Sequence, residues 1–100
     1  MSKHLNQIVL IGLVNDVHGV EDGEFHFTIG ITEEPEPNLK VHKFFRVVVA
    51  EDVASAAARN IHMGISVKVI GGLDAIPKHG VVVRAKSIDF SDTELFGGTK

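Results

Sequence analysis

Apolar and polar residues alternate along most of the chain, and the period lengthens in one place only. Residues 24–32 show the alternation best: Phe25, Phe27, Ile29 and Ile31 fall on one face, Glu24, His26, Thr28 and Gly30 on the other. A period of two predicts a half-buried strand with both phenylalanines in the core. Residues 40–50 predict a second such strand, with Phe44, Arg46 and Val48 on one side and Phe45, Val47 and Val49 on the other. An unpaired guanidinium is costly to bury, so the Arg46 side is expected to be the open one, with Phe44 exposed beside it and Phe45 inside. Residues 65–70 direct Val67 and Val69 inward and Ser66, Lys68 and Ile70 outward. Residues 81–90 set Val81, Val83, Ala85 and Ser87 against Val82, Arg84, Lys86 and Ile88. The first strand, residues 7–14, is apolar on both faces, which suits a central strand or one whose outer face meets a partner subunit. Gly12 within it suggests a bulge or a tight bend.

Between the third and fourth strands the period becomes that of a helix. Val53, Ala57 and Ile61 recur every fourth residue in an alanine-rich run, with Asp52 as the expected N-cap and Gly64 as the expected left-handed stop. The remaining segments read as connections. Residues 15–23 are a turn region with Asp22-Gly23 as a hairpin signal, residues 33–38 a polar, proline-broken loop, and residues 72–80 a loop holding Pro77-Lys78-His79-Gly80. The order is β-β-β-α-β-β, an all-β chain with one short helix. Residues 1–90 are expected to form one domain, with a loose start over residues 1–5, and residues 91–100 a short polar tail.

Composition narrows the chemistry. A chain of 100 residues suits one small core. Cysteine is absent, which excludes disulfides, thiolate nucleophiles and cysteine metal sites. The apolar run over residues 8–13 is too short for a membrane span and lacks a signal-peptide pattern, so a cytoplasmic location is expected. There is no Gly-x-x-x-x-Gly-Lys-Ser/Thr run and no Gly-x-Ser-x-Gly elbow. His4, His18, His26, His42, His62 and His79 sit at irregular spacings; His26 and His42 could face each other across adjoining strands but read as solvated sheet histidines. No catalytic residue, metal site or cofactor is expected, and the chain does not read as an enzyme. The net charge of −3 weighs against a simple nucleic-acid binder. It is unevenly spread: residues 40–86 hold eight Lys/Arg against three Asp/Glu, a local +5 that leaves −8 for the rest. Glu33, Glu34 and Glu36 would repel a phosphate backbone.

One stretch carries a resemblance. Phe44-Phe45-Arg46-Val47-Val48-Val49, the alanine-rich helix, His62-Met63-Gly64 and a β-branched strand ending in Gly71-Gly72 together resemble the bacterial single-stranded DNA-binding protein family. Asn6-Gln7-Ile8-Val9-Leu10-Ile11-Gly12 is similar to that family's opening strand. The resemblance covers roughly residues 6–90. It implies a five-stranded OB-fold (oligonucleotide-binding) Greek-key barrel, the order the strand reading reaches by itself. It further implies sequence-tolerant binding of single-stranded DNA in replication, recombination or repair, in a nucleoid-associated cytoplasmic protein. A homodimer or homotetramer joined through the first strand, and contacts with other replication proteins, are part of the same implication. Among short relatives, primosomal replication protein N, a dimeric OB protein that helps reload the replication machinery, suits this length.

Residue by residue, Phe44 matches a stacking position and Arg46 its basic neighbour. Lys43, Lys68, Arg84 and Lys86 are the further candidates for phosphate contacts. The residues alone leave Phe44 either stacked on a base or packed under the loop over 33–38, and leave Arg84 and Lys86 either in a groove or on a solvated face. RNA in place of DNA stays open. The chain departs from the family in having no Trp or Tyr. The loop over 74–80 is short and without aromatics, and the acidic run 92–96 is followed by Gly97-Gly98-Thr99-Lys100. Binding is therefore expected to be weaker and more electrostatic than is typical. The alternative is an OB module for protein interaction or structure, with little DNA affinity.

Overall fold

β1 (Ile8–Glu21) closes the barrel because it pairs with two strands in succession. The computed structural model describes residues 6–90. From Ile8 to Leu13, β1 runs antiparallel to β4 (Ser66–Ile76); from Leu13 onward it runs antiparallel to β2 (Glu24–Glu36). A Cβ at Gly12 would run into the Gly30 carbonyl oxygen, so a bare backbone is what lets β1 cross from one partner to the other. β3 (Leu39–Val49) pairs antiparallel with β2 and parallel with β5 (Gly80–Asp89), and β5 pairs antiparallel with β4. The order β1-β2-β3-β5-β4 is closed, and α1 (Glu51–Asn60) falls between β3 and β4 in the chain. This is the expected OB architecture.

Its interior is the apolar face of the alternation. Phe25, Phe27 and Ile29 from β2, Val47 and Val49 from β3, Val67 and Val69 from β4 and Val83 from β5 are buried together. The Phe25 and Phe27 rings tilt against each other with centroids 6.1 Å apart. Each such side chain contributes about 1.5–3 kcal/mol by leaving water. α1 packs chiefly on β2 and adds Ala57 to the core, joined by Ile61 just past its end. The Val53 side chain, the loose start over residues 1–5 and the tail over residues 91–100 lie outside the described residues.

Three expected connections are strands instead. β1 continues through residues 15–21, where register shifts between Val14 and Asp16 and between Val17 and Gly19 absorb extra residues. These bulges lie past Gly12, where the bulge was expected. β2 and β3 extend as a ribbon over residues 33–39, turned at Pro37-Asn38 with φ 70 at Asn38, the proline-then-left-handed order of a type II turn. β4 runs on to Ile76. Backbone pairing continues in these hairpins with no fully buried residue, so hydrophobic period could not mark it. Asp22-Gly23 does form the first hairpin turn, both residues at positive φ (54 and 80).

The ends of α1 also differ from expectation. Its N-cap is Ala50, with no side-chain cap bond; Asp52 sits inside the first turn, where its charge still meets the positive end of the helix dipole. The helix leaves through an extended Ile61 (φ −98), and Gly64 takes its positive φ of 92 later, donating its N–H to the Val14 carbonyl at 2.8 Å. Among the described residues no helix is long and apolar enough to cross a membrane.

Candidate nucleic-acid interface

The β2–β3 hairpin sets Gly30 opposite Phe44, Thr28 opposite Arg46, His26 opposite Val48 and Thr32 opposite His42. Directly opposed residues share a face, and this is the face turned away from the core. Phe44 is 58% exposed. A Cβ on Gly30 would lie 3.2 Å from its ring, so the absent side chain is the bed on which the ring rests. Polar groups hold the neighbouring positions: His42 Nδ1 is 3.0 Å from Thr32 Oγ1, and His18 Nε2 is 2.8 Å from Thr28 Oγ1. A groove of about 460 Å³ opens beside the ring, running past Asn15 and Thr32 to exposed Leu13 and Met63. An exposed aromatic plane with hydrogen-bonding groups at its edge can take a flat ring with polar edges.

Arg46 is not on an open surface. Its side chain is 21% exposed; Nε donates to Nδ1 of His26 at 2.9 Å and Nη2 lies 3.4 Å from Glu21 Oε1. Pairing, not exposure, resolves its desolvation. His26 is itself only 2% exposed, and burial, reinforced by the Arg46 charge, pushes its imidazole below the usual histidine value. His79 closes the cluster with Nε2 3.0 Å from Glu21 Oε2, a hydrogen bond that holds the Glu21 carboxyl below its ordinary range. Arg84 is held likewise, by Asp74 at 2.8 Å and Glu24 at 2.5 Å. The Arg84 hydrogen bond, then the Ala75 backbone N–H, lowers the Asp74 carboxyl; Glu24, then Asp74, raises the Arg84 guanidinium. Lys43 pairs with Glu33 at 2.8 Å. Near the two arginine clusters Val48 and Val82 are buried although their side chains leave the barrel outward.

The six expected contact residues are therefore not one patch. Phe44 and Arg46 share a face, with Lys43 next to Phe44 in the chain and tied to the acidic ribbon. Lys68 stands on β4 beside Ile11 and Asp89, with β5 between it and β3 on one side and β1 and β2 on the other. Arg84 and Lys86 border a shallow pocket of about 500 Å³ together with Gly72 and Leu73. Lys86 falls at the register shift between the Gly71–Ala85 and Ile70–Ser87 pairs, which resets the alternation and turns Ile88 toward the core, away from the face expected for it. Among the described residues Lys68 and Lys86 have no ion-pair partner. His26 does not face His42; it meets His79, ring centroids 5.4 Å apart.

Glu21, Glu24, Gly30, Asp74 and His79 are the residues that sequence reasoning passed over. Gly30 had no complete signal: counting from a turn at Pro37-Asn38 sets it opposite Phe45, and only the register shift between Glu33 and Glu36 brings Phe44 across from it. The carboxylates and His79 had none, because three hairpins must converge to assemble them.

No protein-family model matches the chain, and no curated protein matches its sequence. Solved structures do match in fold. The small single-stranded DNA-binding protein from Streptomyces coelicolor superposes with a TM-score of 0.69 at 20% identity, over 89% of this chain and 95% of that one. The protein PriB from Ralstonia solanacearum superposes with a TM-score of 0.63 in each of two structures, at 16% and 14% identity, over 87% of this chain and 99% and 98% of those.

Proposed function

We propose that this chain binds single-stranded DNA with little sequence preference on the outer face of β2 and β3, with Phe44 as the stacking platform. The observation that carries this reading is the exposed Phe44 ring lying across Gly30 beside an open groove. Every base has a flat apolar face, so a platform of this kind accepts any of them. The name of one fold neighbour, the small single-stranded DNA-binding protein from Streptomyces coelicolor, points the same way. Lys68 and Lys86, the candidates without an ion-pair partner among the described residues, stand on β4 and β5, so a DNA strand reaches them only by continuing past β2 and β3. Arg46, Arg84 and Lys43 reach a phosphate only by giving up a carboxylate. The reading is of a cytoplasmic binding protein and not an enzyme, acting on exposed strands in replication, recombination or repair. β1 supplies the surface for self-association: Val9, Ile11 and Leu13 are 49%, 60% and 54% exposed in one apolar row.

The test is fluorescence anisotropy of a labelled oligo-dT titrated with the wild type and with Phe44→Ala. Losing one stacked base removes about 1–3 kcal/mol, so affinity is expected to fall roughly 5- to 150-fold while circular dichroism is unchanged. The salt slope, about −0.7 per phosphate neutralised, is expected to correspond to only a few contacts. Equal affinity in the variant, or no wild-type binding at low salt, overturns the reading. A second reading, a protein-interaction module with little DNA affinity, is favoured by one observation: three of the six candidate residues are cations already neutralised by carboxylates.

A further inference from the structure

One cluster lies further along the outer face of β2 and β3, away from Phe44. Glu21 ends β1, His26 is buried in β2, and His79 sits in the turn between β4 and β5. One carboxylate oxygen of Glu21 and one ring nitrogen of each histidine lie within 4.8 Å of one another. Two neutral imidazoles and a carboxylate form a donor set suited to a borderline divalent cation such as Zn²⁺. Bonds of about 2.0–2.2 Å place tetrahedral ligands about 3.3 Å apart. The His79–Glu21 pair, at 3.0 Å, is already near that spacing. The adjoining pocket of about 160 Å³, bordered by Pro77 and Lys78, has room for water as a further ligand.

What stands against the ion is Arg46. Its Nε donates to Nδ1 of His26, and its Nη2 lies against Glu21. If the ion took Nδ1 of His26, it would need the lone pair that Arg46 now occupies. If it took Nε2, the ring proton would move to Nδ1 and meet the Arg46 N–H head on. Either choice of nitrogen forces the guanidinium out. We propose that Glu21, His26 and His79 form a binding site for one Zn²⁺-class cation, and that the cation and the Arg46 guanidinium exclude each other there. The cation replaces the positive charge that Arg46 supplies to Glu21, and the released guanidinium becomes available to an outside anion. None of this requires that the chain bind DNA.

The experiment uses the untagged chain, Co²⁺ as a spectroscopic probe and Zn²⁺ as competitor. The expected result is one Co²⁺ per chain with the visible bands of a low-coordinate site, displaced by Zn²⁺. His79→Ala, at a partly exposed turn position that leaves the core intact, should lower affinity by at least about tenfold, with circular dichroism as the check on folding. Arg46→Gln removes the competitor and should tighten binding, an effect that a merely adhesive role for Arg46 does not produce. His62→Ala, at an exposed position remote from the cluster, should change nothing. Absence of Co²⁺ bands at submillimolar metal, binding unchanged in His79→Ala, or binding unchanged or weakened in Arg46→Gln would each overturn the proposal.

Discussion

Phe44 and Arg46 are two residues apart on one strand and meet opposite fates, and the difference comes from what lies across from each. Phe44 has Gly30 beneath it and stays in contact with water; Arg46 has His26 and Glu21 within reach and is drawn into a partly buried network. Reading the strand alone separates Phe44 from Phe45 correctly, because alternation decides facing. It cannot tell that a cation on the outward face will be partnered, since its partners sit on another strand and at the end of a third. The second arginine makes the cost of such partnership measurable. Asp74 is ionised more readily in the folded chain than in the unfolded one because Arg84 donates to it. A carboxyl with a lowered folded value contributes stability that is complete above its unfolded value near 3.8 and is lost as pH falls below it. In Asp74→Asn the acid limb of a denaturation-midpoint profile below about pH 4 should therefore be shallower than in the wild type. An unaltered limb would mean that the pair contributes nothing to folding.

At the scale of elements, hairpin length and bulges do most to shape the outer face of β2 and β3. The core strands were legible from residues 24–32, 44–49 and 65–70, where one face is buried and period two is enforced by water. Residues 15–21, 33–36 and 73–76 were not, because no residue there is fully buried and most are polar. A turn at Pro37-Asn38 by itself sets Gly30 opposite Phe45, and the bulge between Glu33 and Glu36 slips the register by one residue to bring Phe44 onto its bed. The bulges could not have been anticipated, since a one-residue slip leaves no mark in composition. Gly12 is the hinge between the two partners of β1. Gly12→Ala should destabilise the fold by about 1–3 kcal/mol, because a methyl group there meets a carbonyl that the paired strands hold in place. Chemical denaturation of the two proteins decides it; a loss below a few tenths of a kcal/mol would show that β1 shifts freely over β2.

For the whole molecule, the outer surface divides into an aromatic face on β2–β3, a set of neutralised arginines beside it, and an apolar row on β1. The row over Val9, Ile11 and Leu13 is what a second copy would cover, and Ile11→Glu should convert a self-associating wild type into a monomer by light scattering without loss of the barrel. A wild type that is monomeric at high concentration removes the row from that role. The ribbon of β2 and β3 raises Glu33, Glu34 and Glu36 at one end of the aromatic face, with Lys43 already committed to Glu33. A polyanion laid along the face meets a barrier there and has to turn away. The occluded length of strand should accordingly sit near the short end of the about 4–16 nucleotides an OB fold covers, and stoichiometric titrations should show it lengthen when the three glutamates become glutamines. The ribbon would then act as a ruler, setting how many nucleotides one chain protects before the next begins.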